Sequence, residues 1–457
     1  MNAPSILKSV AETIAEQCGA LAPENIPASV RTRAEELLID VTGLCVAARN
    51  TDYIRSLIAS VDAGGPCTAI GHAAAFGAAA AAMINGTAAH GEDFDDTFEG
   101  GPVHSSAVVM PAVLAACEHF GRDGRAALTG MVAGIETLCR LSMVIPKAIH
   151  KAGFHPTGIL GAMGSTLAVS VALGLNRRQT VDALGIAGSM ASGIIEYLAE
   201  GAWTKRLHVG WAAQAGVQAA RMGQQGFLGP RTVFEGTHGL FHGFAHSTEG
   251  DYGVLSRDFG IKWFMDSITF KPYATGTMNQ PYIDCAIRLS KKGIRAEDVT
   301  DVLCETAEGY VHRLWEPLAS KHRPANDYAA KFSTPFNIAV AFITGGAGLA
   351  AFTGQTVRDE RILALASKVR YVIDPDNPYP KAYTGHVRMT LRDGSVIEER
   401  QPYIRGGVKE PLTRAEIEDK FRRNCEFGGW EAARIDAFLK AAPVFFDRQL
   451  DLAPLRG

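Results

Sequence analysis

Apolar residues recur at three- and four-residue spacing through most of the first 260 positions of this 457-residue chain, the mark of helices with one buried face. The spacing predicts helices over 4–20 and 27–49. The second is opened by Pro27 and carries Leu37, Leu38, Val41, Leu44 and Cys45 on one face. An alanine-rich run predicts a buried helix over 73–90. Val108, Val109, Val113, Leu114 and Cys117 mark another over 107–121. The pattern continues over 125–145, where Glu136 and Arg140 stand four apart and can pair. Further helices are predicted over 156–173, 178–198 and 206–223, the last with Val209, Ala213, Val217 and Ala220 along one side. No strand is predicted before residue 260.

From residue 270 the period changes. Residues 270–280 form an irregular loop that feeds a helix from Pro281 to near Gly293. Residues 299–311 alternate and are rich in β-branched side chains, which predicts a strand. Ser333-Thr334-Pro335 opens a helix through 344, and 369–373 predicts a second strand. Segments 387–391 and 396–399 flank Asp393-Gly394, a hairpin signal. Residues 413–440 return to helical spacing as a C-terminal helix pair, with Thr413 and Glu416 placed as a capping box. The predicted fold is mainly α: a large all-α helical domain from 1–264 and 409–457, and a smaller α+β domain at 265–408.

Composition narrows the function classes. A net charge of -3 and the lack of a long basic run argue against nucleic-acid and membrane-surface partners. The uncharged runs 73–91, 156–175 and 335–357 are rich in small residues, so they predict closely packed buried helices rather than membrane spans. Glu12 and Glu16 interrupt the first helix, against a signal peptide. Eight cysteines are scattered without a close pair, which fits a reducing, cytoplasmic setting and argues against a zinc or disulfide framework.

Charge is densest at residues 90–106. Glu92, Asp93, Asp95 and Asp96 crowd five positions, with His90 and His104 at the two ends and apolar segments on both sides. Buried carboxylates are costly unless paired or used. The spacing matches no closed zinc or calcium pattern. Asp93-Phe94-Asp95-Asp96 also fits the Asp-x-Asp-Asp motif of class II terpene cyclases, but those helical enzymes line their cavities with aromatics, which are only 8% here. His155 precedes Pro156 and so stands at the mouth of a helix, where free N–H groups favour an anion. Trp203-Thr204-Lys205-Arg206-Leu207-His208 places two cations and a histidine beside another helix start.

These residues carry a resemblance. The ordered series Asn85-Gly86 with His90, Asp93-Phe94-Asp95-Asp96-Thr97, His104-Ser105-Ser106, Gly153-Phe154-His155-Pro156, Thr204-Lys205-Arg206-Leu207-His208-Val209-Gly210, Phe270-Lys271-Pro272-Tyr273, Lys331-Phe332-Ser333-Thr334-Pro335-Phe336 and Pro411-Leu412-Thr413 resembles the MmgE/PrpD family. That family includes 2-methylcitrate dehydratase, cis-aconitate decarboxylase and iminodisuccinate epimerase. The resemblance implies an all-α domain, an α+β lid, a homodimer, an active site in the cleft between domains, and neither metal nor organic cofactor. It implies that Asp93, Thr97, His104, His155 and Lys205 line that site. Relatives carry a histidine in the loop matching 274–280; here the loop reads Ala-Thr-Gly-Thr-Met-Asn-Gln and has none.

The implied reactions move a proton to or from a carbon next to a carboxylate, so fixed cations and N–H donors must hold the growing charge. His104 and His155 are the expected proton carriers, Lys205 a clamp or base, and Asp93 the group that orients a histidine. Thr97, Lys271, Tyr273, Gln280 and His208 are the expected substrate-binding residues, while Asp95 and Asp96 are expected to be structural. The leading expectation is a cofactor-independent dehydratase of the 2-methylcitrate type acting on a di- or tricarboxylate. The alternatives are an epimerase of the iminodisuccinate type, a decarboxylase of the cis-aconitate type and, last, a non-catalytic carboxylate binder.

Overall fold

The computed structural model describes residues 8–101 and 103–457. The protein is mainly α with small sheets and divides into two compact units. Unit 1 takes Met1–Gly91, Asp95–Ile268 and Arg414–Gly457; unit 2 takes Glu92–Phe94 and Thr269–Thr413.

Unit 1 holds helices α1 (Val10–Gly19), α2 (Ala28–Ala48), α3 (Asp52–Ala59), α4 (Ala78–His90), α5 (Ser105–Phe120), α6 (Gly124–Val144), α7 (Ala148–Lys151), α8 (Pro156–Leu173), α9 (Arg177–Met190), α10 (Tyr197–Glu200), α11 (Thr204–Gln224) and α12 (Leu240–Ala245). Unit 2 holds α13 (Gln280–Ser290), α14 (Leu318–His322), α15 (Asp327–Ala330), α16 (Thr334–Thr344) and α17 (Glu360–Ala366). The chain then returns to unit 1 with α18 (Arg414–Phe427) and α19 (Ala432–Ala441). Local signals set the ends. Ser9 and Glu12 form a capping box on α1, and Asn176 and Gln179 form one on α9. Gly121 and Gly174 end α5 and α8 in the left-handed region.

Small residues let the central helices cross closely. A Cβ on Gly86 of α4 would stand 2.9 Å from the Gly210 Cα of α11. That crossing brings the C-terminal end of α4, with His90, beside the first turns of α11. A Cβ on Gly134 of α6 would likewise meet Ala168 and Gly164 of α8. Helices α6 and α8 have the length and hydropathy of membrane spans, yet 94% and 89% of their most apolar windows are buried within the protein. The expected Glu136–Arg140 pair forms at 2.7 Å, fully buried, and the guanidinium also donates to the carbonyls of Val254, Arg257 and Lys262.

Unit 2 carries a four-stranded sheet in the order β6-β5-β7-β8, with β5 (Val299–Thr306), β6 (Val369–Ile373), β7 (Gly385–Leu391) and β8 (Val396–Gln401). Strands β5 and β6 are parallel, and the β7–β8 hairpin turns at Gly394, φ 83°. Helix α13 covers this sheet, and its Tyr282 hydroxyl donates to the Glu305 carbonyl at 2.8 Å.

Three expectations need correction. Short strands do occur before residue 260: β1 (Ala63–Thr68), β2 (Ala75–Phe76) and β3 (Thr97–Phe98), followed by β4 (Ile268–Thr269) where the chain passes between units. The pairing of β1 with β2 delays α4 to Ala78. The helix predicted over 178–198 ends at Met190, because the chain then runs beside 153–155; His155 N–H donates to the Gly193 carbonyl at 2.8 Å. The strand predicted over 299–311 ends at Thr306, whose hydroxyl accepts from Trp315 Nε1, and 308–315 form a 3-10 turn followed by a π-helical turn. The C-terminal helix pair expected over 413–440 is present as α18 and α19, divided at Gly428-Gly429, with Gly429 at φ 82°. Residues 4–7 of the first predicted helix lie outside the described residues.

Candidate active site

Three helix starts in unit 1 each carry a candidate residue. His104 is the residue before α5, His155 the residue before α8, and Lys205 the second residue of α11. Pro156 holds His155 in an extended conformation, φ -80° and ψ 110°. The first two starts are tied together, since His104 N–H donates to the Thr157 hydroxyl at 3.2 Å. Free N–H groups and aligned peptide dipoles make such ends favourable for anions. At α5 a carboxylate already occupies that role. Asp96 is fully buried and accepts from the Ser105 and Ser106 backbone N–H groups at 3.1 and 3.2 Å, and from both hydroxyls. Its expected structural role is therefore visible in detail.

Four histidines converge here. The rings of His90 and His104 lie 4.7 Å apart, those of His90 and His155 are stacked at 5.6 Å, and those of His155 and His208 lie 5.5 Å apart. His208 fits against Gly193 and Gly158; a Cβ on Gly193 would stand 3.0 Å from its ring. His155 and His208 face each other through their Nδ1 atoms at 3.4 Å, so one proton serves both positions. His104 Nδ1 lies 2.7 Å from the Asp96 carbonyl. A carbonyl only accepts, so Nδ1 carries the proton and the neutral ring presents Nε2 as a base.

The electrostatics disfavour the charged forms of His155 and His208. Burial, then His90, Lys205, His208 and His104, hold the His155 pKa well below the usual histidine range. Burial, then His90 and Lys205, push His208 down to about 4. Both rings resist protonation in this setting, and a nearby anion would favour their charged forms. Thr97, at the edge of the acidic stretch, has a buried hydroxyl with no hydrogen-bond partner among the described residues.

Asp95 was expected to be structural, with Asp93 orienting a histidine. The Asp95 carboxylate contacts two histidines of unit 1: its Oδ2 lies 2.7 Å from His90 Nδ1 and 3.4 Å from His104 Nδ1. His90 and Asp95 are absent from the expected site residues, although His90 was visible as the histidine opening the acidic stretch. His90, Asp95 and His104 are also the described group that could hold a cation, with ligand atoms within 4.8 Å. Ligation would require both Nδ1 atoms to lose their protons, whereas here they donate to oxygen.

The remaining candidates lie in unit 2. Lys271 is buried, and its Nζ donates to the Asp93 carbonyl at 2.9 Å; Asp93 takes φ 54°. Lys331, not expected from the sequence as a site residue, donates to the Glu92 carbonyl at 2.8 Å and pairs with its carboxylate at 2.5 Å. Two buried lysines thus fasten 92–94 to unit 2. The Tyr273 hydroxyl is engaged by Asp284 at 2.6 Å. Gln280 is fully buried in the first turn of α13, and neither side-chain amide atom has a partner among the described residues.

Comparison with known proteins places these residues in context. Residues 12–252 match the MmgE/PrpD N-terminal domain and residues 273–441 the MmgE/PrpD C-terminal domain. Cis-aconitate decarboxylase of Homo sapiens is 27% identical, covering 92% of this chain and 88% of its own length. Cis-aconitate decarboxylase of Aspergillus terreus is 28% identical over 92% of this chain and 90% of its own. The mitochondrial 2-methylcitrate dehydratase of Yarrowia lipolytica is 24% identical over 67% of this chain and 62% of its own.

Proposed function

Since this chain belongs to the MmgE/PrpD family, we propose that it is a cofactor-independent lyase that decarboxylates cis-aconitate or a close tricarboxylate analogue. The observation that carries this choice is the extent of likeness: decarboxylase relatives align over about nine-tenths of the chain, the dehydratase over two-thirds. Dehydration, the leading expectation from the motifs, thereby becomes the second reading.

The reaction fits the cluster's chemistry. CO2 leaves a CH2–carboxylate, and the bond pair forms a new C=C. The pair of the original double bond takes a proton at the carbon next to another carboxylate. One carboxylate is exchanged for one proton, and a single acid suffices because CO2 leaves unprotonated. Loss of water would need a base for the carbon proton as well as an acid for the leaving oxygen, and residues 274–280 hold no histidine to share that work. Lys205 and the α8 start bind the substrate's carboxylates. That negative charge lets one of the neutral histidines take up a proton and deliver it.

The test is incubation with cis-aconitate, 2-methylcitrate and iminodisuccinate, followed by 13C NMR in heavy water. Release of CO2 with a methylene-bearing dicarboxylate is expected. Water loss from 2-methylcitrate with cis-aconitate untouched would replace this reading with the dehydratase. Proton exchange without loss of mass would make it an epimerase, and binding without turnover a carboxylate-binding protein. A homodimer belongs to the same proposal: Ile194, Leu198, Trp203, Phe227 and Leu228 expose apolar side chains on unit 1, and light scattering at working concentration checks it. A cytoplasmic location is proposed on the scattered cysteines, all eight of which are free and buried.

A further inference from the structure

We propose that Asp95, with His90 as its second arm, is a positioning carboxylate that sets the tautomer and charge of His104; its catalytic readout rests on the lyase reading above. One fully buried carboxylate oxygen faces the Nδ1 atoms of two imidazoles, at 2.7 Å for His90 and 3.4 Å for His104. His104 Nδ1 is also held by the Asp96 carbonyl at 2.7 Å. Two acceptors on one side of the ring fix the proton there and leave Nε2 to the substrate. When Nε2 takes a proton, the ring becomes a cation, and Asp95 is the charge placed to stabilise it.

The neighbouring aspartate cannot do this. The Asp96 carboxylate is committed to the Ser105 and Ser106 donors, and only its carbonyl reaches His104. His90 extends the arrangement, because its ring is bonded to Asp95 at one nitrogen and stacked on His155 at 5.6 Å. Asp95 therefore borders a proton-carrying assembly of three rings. The other charges that bear on it are Asp96; Asp40, which pairs with Lys420 at 2.7 Å; and Lys205 and His208 beside His155. None of these supplies an oxygen to His104 Nδ1 among the described contacts, apart from the Asp96 carbonyl.

Asp95→Asn keeps the shape and removes the charge. Hydrogen exchange at the histidine C2 position, read by mass spectrometry across pH, reports each ring's titration without any substrate. The midpoints of His104 and His90 are expected to fall by about one unit or more in Asp95→Asn; unchanged midpoints overturn the proposal. In turnover, kcat should fall at least about 100-fold with KM little changed, and the acid limb of the pH profile should move down. A loss of folded protein with an unshifted pH limb would mean a merely structural role and also overturns it. If the wild-type protein turns over none of the acids above, the lyase reading fails while the exchange midpoints still decide this one. Should Asp95→Asn not fold, His90→Gln decides: with its competitor gone, Asp95 serves His104 alone, so the His104 midpoint should hold or rise. A fall would overturn the proposal.

Discussion

Lowering the pH from 7 to 5 should cost this protein stability through His208, and the size of the loss follows from its burial. His208 is pushed down to about 4 from 6.5, first by burial and then by His90 and Lys205. Between those values the unfolded chain binds more protons than the folded one. Stability therefore falls as pH drops below 6.5, and the loss saturates near 4. Integrated from pH 7 to pH 5, His208 alone accounts for about 2 kcal/mol. His155 shifts in the same direction. Two buried carboxylates act oppositely: burial raises Asp40 and Asp284 each to about 6. There the folded state binds the extra proton, so acidification relieves a penalty. A raw pH profile sums these opposing contributions, and the informative quantity is a difference. We expect the wild-type protein to lose about 2 kcal/mol more than His208→Gln between pH 7 and pH 5, measured by urea unfolding with circular dichroism. Parallel profiles for the two proteins would refute the argument that packing keeps His208 neutral.

Replacing Asp96 with Ala leaves two backbone N–H groups and two hydroxyls buried without their acceptor; a loss of about 3 kcal/mol or more is expected in the same unfolding assay. Gly210→Ala drives a methyl group into the Met83 carbonyl and Thr87 of α4, so stability should drop by roughly 1–3 kcal/mol. Turnover per folded molecule should drop with it, because that crossing aligns His90 with α11. Lys271→Met removes the donor to the Asp93 carbonyl, and backbone hydrogen exchange over 92–94 should accelerate while unit 1 helices keep their protection. Calorimetry of tricarboxylate binding at pH 7 in buffers of different ionisation enthalpy should show net proton uptake; binding without uptake would mean that the anion does not charge the histidines.

Helix content was legible because apolar periodicity decides it, and α5, α6, α8 and α11 appear within a few residues of their predicted bounds. Breaks set by distant partners were not legible. Nothing local in residues 191–195 announces that they run beside 153–155, or in Thr306 that β5 ends there against Trp315, nine residues on. The site divides the same way. Residues at helix mouths were readable because Pro156 and the cluster at 203–208 mark them in sequence. The Asp95 contacts depend on which way each carboxylate of a dense acidic run points, and the backbone turn at Asp93 (φ 54°) lies within 92–94, which belong to unit 2 while Asp95 belongs to unit 1. Composition carries no trace of that turn.

The stretch 90–106 therefore works as a sorting device more than as a single acidic patch. Glu92 and Asp93 are taken by the lysines of unit 2 through their backbone carbonyls. Asp96 is taken by the start of α5, and Asp95 is left to the histidines. Three of the four carboxylates meet their own cations or donors, Lys331 on Glu92, two imidazoles on Asp95 and the Ser105 and Ser106 donors on Asp96, which offsets the cost of crowding them into five positions. The histidine cluster has a different balance: Lys205 and four imidazoles, two of them held down in pKa, with the Asp95 carboxylate against two of the rings. On the proposed function, a bound substrate anion would favour protonation of these rings only while it is there, whereas further protein carboxylates would hold them as permanent cations and end the proton transfer proposed for them.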